Sequence, residues 1–267
     1  RYRVANKNAV VLADPGLINE VLRNRPEGFQ RGKRMQAIVR ELGVDGVFNA
    51  EGAKWRRQRK LAMLALNTNH LREFFARLEV VTARLQRRWE RTAAAGETVD
   101  ASADLRRFTV DVTSSLAFAT DLNTLETEGD VIQQHLDKIF PAIARRLFSL
   151  VPYWRWFKLR ADRELDAAVT QVHELVNRLV ADARRRAASD TSAESRPSNF
   201  LDAMVATQGD ETAAFTDSEV VGNALTMLLA GEDTTSNTLA WMMHLMTEHP
   251  AVQAKMQDEA DRILGPA

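Results

Sequence analysis

Residues 216–249 read TDSEVVGNALTMLLAGEDTTSNTLAWMMHLMTEH, and this stretch decides the fold. It opens with Thr216 and Glu219, spaced as a capping box in which the hydroxyl takes the Glu219 N–H and the carboxylate reaches back. No breaker of comparable strength follows until Pro250, so the spacing predicts one helix from 217 to about 248. Such a helix is about 48 Å long at the usual rise per residue. Val220 to Ala230 is apolar nearly all round, which predicts burial on several sides. A polar knot then interrupts it, Ala230-Gly231-Glu232-Asp233-Thr234-Thr235-Ser236-Asn237. Glycine inside a helix costs about 1 kcal/mol relative to alanine, so Gly231 marks a close approach. Thr234 or Thr235 can turn its hydroxyl back to a carbonyl one turn earlier. Local pattern also allows a break here, with Asp233 or Thr234 as an ordinary N-cap. Against a break, Leu239, Trp241, Met242 and Leu245 resume the apolar pattern at once.

The same periodicity extends outward. Residues 70–92 place Leu71, Phe74, Phe75, Leu78, Leu85 and Trp89 at helical steps, and residues 161–186 do so with Leu165, Val169, Val172, Val176 and Leu179. Asp14-Pro15 opens a helix carrying Leu17, Ile18, Val21 and Leu22 that ends near Pro26. Only the start reads as strand: Tyr2 to Ala5 and Ala9 to Leu12 flank the polar turn Asn6-Lys7-Asn8. Linkers are expected at Ala94-Ala95-Gly96-Glu97 and from Ser189 to Asn199. No fixed-period repeat suggests a solenoid. The fold class expected is mainly α, with a small N-terminal β-hairpin.

Composition removes several function classes. The 267 residues are 45% hydrophobic, and 36 Lys+Arg balance 36 Asp+Glu. That length holds a sizeable core, and the balance argues against a dedicated nucleic-acid binder. No apolar run reaches the ~18 residues of a membrane span. Cysteine is absent, which excludes disulfides, thiolate metal sites and cysteine nucleophiles within these residues.

The knot Ala230-Gly231-Glu232-Asp233-Thr234-Thr235 resembles the distal-helix signature of the haem-thiolate monooxygenases, the cytochrome P-450 family: Ala/Gly-Gly-x-Asp/Glu-Thr-Thr/Ser. The context is similar too, since Glu248-His249-Pro250 leads into a further helix. A second family motif, Trp-x-x-x-Arg, stands at Trp55 and Arg59, preceded by Gly46-Val47-Phe48-Asn49. The resemblance covers essentially the whole chain.

It implies a partial cytochrome P-450-like helical fold, residues 1–267 forming a single incomplete domain without the haem-ligand C-terminal part. The implied activity is insertion of one oxygen atom from O2 into a hydrophobic organic substrate, with haem b as cofactor. Thr234 and Asp233 are the implied catalytic pair, the hydroxyl serving dioxygen and the acid linking it to bulk protons. Trp55 and Arg59, four apart on one helical face, would hold the haem propionates through indole and guanidinium donors. Ala230 and Gly231 would keep bulk off the haem face, and Glu232 fills the variable position with no assigned role. Electrons would come from NAD(P)H through a ferredoxin or flavin-domain donor. Lys54, Arg56, Arg57 and Lys60 would point away from the haem and form its docking patch. Phe29 to Asp45 corresponds to the region over the haem, and Leu147 to Leu159 to a mobile lid. The lid's aromatic cluster, Tyr153, Trp154, Trp156 and Phe157, suits an access channel, a membrane surface or a satellite core. The composition suggests a soluble cytoplasmic type, with membrane anchoring left open.

Some features depart from the family. No cysteine is present to ligate iron, and the Glu-x-x-Arg spacings at Glu20/Arg23 and Glu259/Arg262 fall on the wrong helices. Met63 to Asn67 replaces the usual Pro-x-Phe. His70, His135, His173, His244 and His249 show no metal-ligand pairing, so no metal residue is assigned. The chain is expected to be an inactive piece of a longer enzyme. The alternative is a non-catalytic helical ligand-binding or interaction protein derived from that fold.

Overall fold

The computed structural model describes residues 2–4, 7–25, 27–66, 68–127, 132–189, 199–207 and 215–265. A hairpin, β1 (Tyr2–Val4) and β2 (Lys7–Ala9), is followed by α1 (Pro15–Arg23), α2 (Lys33–Glu41), α3 (Gly52–Ala65), α4 (Thr68–Ala94) and α5 (Ala101–Phe118). Then come α6 (Ile132–Leu136), α7 (Ile139–Phe148), a 3-10 turn at Tyr153–Arg155, α8 (Arg160–Ser189), α9 (Phe200–Ala206), α10 (Asp217–Glu248) and α11 (Pro250–Leu264). The mainly α expectation holds.

The hairpin is shorter than the sequence suggests. Tyr2 pairs with Ala9, Arg3 with Asn8 and Val4 with Lys7, so Lys7 and Asn8 are strand residues and Val10 to Leu12 are not. Ala5 and Asn6 themselves lie outside the described residues. Asp14 caps α1 as expected, accepting from the Leu17 N–H at 2.9 Å, and Pro15 takes the first helical position. Pro26 and most of the Ser189–Asn199 linker lie outside the described residues, but Asn199 caps α9 by accepting from the Asp202 N–H at 2.9 Å.

α10 runs unbroken from 217 to 248, which excludes a break at the polar knot. It lies along α5, while α8 and α9 brace its first half. The main core joins Val110 and Phe118 of α5, Val172 and Val176 of α8, Leu201 of α9, and Val220, Leu225 and Leu228 of α10. Each such side chain contributes about 1.5–3 kcal/mol by leaving water. A smaller cluster packs Val81 and Leu85 of α4 on Leu105 and Leu125. The α4 stripe is thus buried only in part, since Leu71 and Phe75 remain exposed. Part of the region expected over the haem, residues 29–45, folds as α2, with Ile38 and Val39 in the core. The lid segment divides. Trp154 is buried and donates its indole N–H to Glu41 at 2.8 Å, while Trp156 and Phe157 stay exposed.

Candidate functional site

The two halves of α10 meet different surroundings. In the first half the capping box forms as read: the Thr216 hydroxyl accepts from the Glu219 N–H at 3.3 Å, and Glu219 accepts from the Thr216 N–H at 3.0 Å. Glu219 also takes hydrogen bonds from Arg57 at 2.6 Å and Gln58 at 3.2 Å, with Lys54 at 3.6 Å. Burial alone would raise this carboxyl. The Thr216 N–H, Arg57 and Lys54 outweigh burial and hold it below the usual carboxylate range. Lys54 and Arg57 therefore do not form the outward docking patch expected of them. They are drawn inward by a buried acid, and Lys54 also pairs with Asp45 at 2.8 Å. Of the four basic residues, Arg56 and Lys60 are exposed, and Arg56 pairs with Glu27.

Close approach explains both glycines of α10. A Cβ on Gly222 would lie 2.6–2.8 Å from the backbone of Asp45, where the Gly46 turn crosses the helix. Asn223 secures that crossing by accepting from the Val47 N–H at 2.8 Å. A Cβ on Gly231 would lie 2.1 Å from the Thr113 hydroxyl of α5. Gly231 therefore lets α5 and α10 touch.

Around the knot, the helix separates its side chains by face. Glu232 and Ser236, at 1% and 2% exposure, turn inward. The Glu232 carbonyl accepts from Thr109 of α5 at 3.0 Å and from Ser236 at 2.7 Å. Ala230, Thr234, Thr238, Trp241 and Leu245 form an exposed stripe on successive turns. The Thr234 hydroxyl donates back to the Ala230 carbonyl at 2.8 Å, as anticipated for a threonine here. Asp233 is half-buried, and its Oδ1 accepts from Asn237 Nδ2 at 3.0 Å. The stripe continues into an apolar groove of about 620 Å³ between α10 and α11, lined by Trp241, Leu245, Val252 and Met256 among others.

Trp55 and Arg59 meet on α3, the guanidinium carbon 5.5 Å from the indole centroid. Arg59 is exposed and makes no ion pair among the described residues. An uncommitted guanidinium beside an indole fits an anionic group such as a propionate, and the small open face at Ala230 and Thr234 fits a flat cofactor. In these respects the residues present fit haem. No His/Cys/Asp/Glu group among the described residues is arranged to hold a metal ion. His173 packs against Gly43 and the Leu42 carbonyl, and His244 lies edge-on to Trp241.

Sequence reading left Glu232 without a role. One of its oxygens is buried with no donor to it, and the Asp137 carboxyl, between α6 and α7, acts on it. Asp137 pairs with Arg106 of α5 at 3.1 Å. Burial, then the charges of Asp137 and Asp233, push Glu232 up to about 8, and burial likewise raises Asp137. A carboxylate at the variable motif position was the only signal, and nothing local names its partner.

Comparison with known proteins bears on the family and the fold. The family model described as "Cytochrome P450" matches residues 1–267. "Cytochrome P450 CYP94D108" of Paris polyphylla is 28% identical over 271 residues, covering 97% of this chain and 52% of that protein. "Cyclooctatin synthase" of Streptomyces melanosporofaciens is 26% identical, covering 94% and 52%. The crystal structure of the cytochrome P450DA heme domain superposes with a TM-score of 0.74 at 25% identity, covering 95% of this chain and 53% of that one. The chain spans about half the length of the curated relatives it matches. No described helix is long and apolar enough to cross a membrane.

Proposed function

Because the chain belongs to the cytochrome P450 family, we propose that it is the oxygen-side half of a haem-dependent monooxygenase acting on a hydrophobic organic substrate. The observation that carries this reading is the division of α10: Gly231 and Glu232 are fixed against the bundle, while Ala230 and Thr234 face outward on one stripe. Haem, when bound, would supply the activation of dioxygen. Its thiolate ligand cannot come from these 267 residues, which contain no cysteine.

The chain's own residues have separable tasks. Arg59 and Trp55 bind the carboxylate edge of the cofactor by charge-assisted and indole hydrogen bonds. Ala230 leaves space above the cofactor plane. Thr234 holds its hydroxyl against the Ala230 carbonyl and can rotate to donate outward. Asp233, one residue before it, holds a proton acceptor on the same turn and is oriented by Asn237. The apolar groove beyond Trp241 extends the same open face and suits an apolar covering or substrate. NAD(P)H-derived electrons would arrive through a ferredoxin or flavin-domain donor. With Lys54 and Arg57 committed to Glu219, Arg56 and Lys60 are the basic side chains of α3 left at the surface for it.

The test is the reduced, CO-bound absorption spectrum of the full-length protein that contains this chain. The thiolate-type band is expected, and Arg59→Ala with Trp55→Ala should lower haem retention while leaving far-UV circular dichroism unchanged. Absence of any haem spectrum in a folded full-length protein would refute the reading.

A further inference from the structure

Glu232 is the most deeply buried carboxyl of the knot, at 1% exposure, and one of its oxygens has no partner. A buried, ionised carboxylate with an empty acceptor is costly, so the group binds a proton instead. The charged groups acting on it come from each neighbouring element: Arg106 from α5, Asp137 from the α6–α7 joint, and Asp233 from α10 itself. Burial disfavours charge on both Glu232 and Asp137, which face a single guanidinium. Arg106 pairs with Asp137 at 3.1 Å, which favours charge on Asp137 over charge on Glu232. Gln133 also donates to Asp137, holding it as an acceptor. Asp137 keeps 35% of its side-chain surface open to water, whereas Glu232 is closed off. Asp137 thus stands between water and Glu232, and Glu232 directly precedes Asp233 in the motif.

We propose that Asp137 and Glu232 are a proton-sharing carboxyl pair that stores one proton behind the α10 motif and refills Asp233 from solvent. In the step, the Glu232 proton passes to the Asp233 carboxylate and Asp137 returns to Glu232 a proton taken from water. The net change is one proton moved from bulk to Asp233, with no change of oxidation state. The storage part stands on this chain alone; the refilling part rests on the monooxygenase reading.

Storage is tested by infrared titration of the chain. The carbonyl stretch of an un-ionised carboxyl should persist through neutral pH in the wild type and vanish in Glu232→Gln. In Asp137→Asn it should titrate at lower pH, because a neighbouring negative charge has gone. A wild-type chain with no such band at neutral pH, or a band unchanged in Glu232→Gln, overturns storage. A second readout is stability. A carboxyl whose folded pKa is raised stabilises the fold fully below its unfolded value of about 4.3, and that stabilisation is lost as pH rises through about 8. Glu232→Gln, close in shape to the protonated acid, should remove this loss relative to the wild type.

Refilling is tested in the full-length enzyme by product formed per electron as a function of pH. Glu232→Gln should lower the ratio several-fold at neutral pH and flatten its fall on the alkaline side, without shifting KM. An unchanged pH profile, in an enzyme whose infrared band behaves as expected, overturns refilling while leaving storage intact. If the full-length protein binds no haem, the monooxygenase reading fails, and the infrared result still decides storage.

Discussion

The two halves of α10 share one helix and one hydrogen-bond ladder, yet they are held in opposite ways. Residues 217–229 are enclosed: Glu219 is gripped by Arg57 and Gln58, Gly222 presses on Asp45, and Val220, Leu225 and Leu228 enter the main core. Residues 230–248 are fixed along one side and open along the other, from Ala230 and Thr234 to Trp241 and Leu245. The first half anchors the rod, and the second leaves one face of it open. Substitutions in the first should therefore register as lost stability, and those on the open stripe of the second as lost function in an intact fold.

The sharpest way to break this division is Gly222→Val. Its Cβ meets backbone atoms, which cannot rotate aside, so a loss of about 3 kcal/mol or more is expected from denaturant midpoints. A loss under ~0.5 kcal/mol would mean that the Gly46 turn does not seat on α10. Gly231→Ala should cost less, about 1–3 kcal/mol, because it meets the Thr113 side chain and not backbone. Thr113→Ala in the same chain should restore part of that loss, and absence of rescue would place the contact elsewhere.

Next in size is Glu219→Gln, expected to cost about 2 kcal/mol at neutral pH through weakened charge-assisted bonds. Its folded pKa is held down, so its contribution is present above the unfolded value and lost as pH falls through the folded one. Wild type and variant should therefore converge in stability in acid. A gap that stayed constant down to low pH would contradict the Arg57 and Lys54 clamp. The smallest stability effect belongs to Thr234→Ala, within about 0.5 kcal/mol for an exposed side chain with one local bond.

What the sequence made legible follows the same division. Thr216 and Glu219 announced the helix start because capping is local, and the resumption at Leu239 and Trp241 argued for continuity because helical period is local. Thr234 and Asp233 were singled out through family resemblance alone. Lys54 and Arg57 were placed in an outward docking patch because their partner Glu219 is distant in sequence and only tertiary folding brings it near. The contact of Gly231 with Thr113 was hidden for the same reason, since Thr113 belongs to another helix. The Asp137–Glu232 pair had no local signature, because a buried acid and a surface acid look alike until burial is known. The hairpin was overextended because its register depends on which residues pair, and alternation alone does not fix that.

The most direct test of the open stripe is Thr234→Ala in the full-length enzyme, following reductant consumed, product formed and peroxide released. The account predicts that electron consumption continues while product per electron falls and peroxide rises, in a protein with unchanged stability. Unchanged coupling in that variant would contradict the assignment of Thr234 and, with it, the view that this half of α10 carries the chemistry.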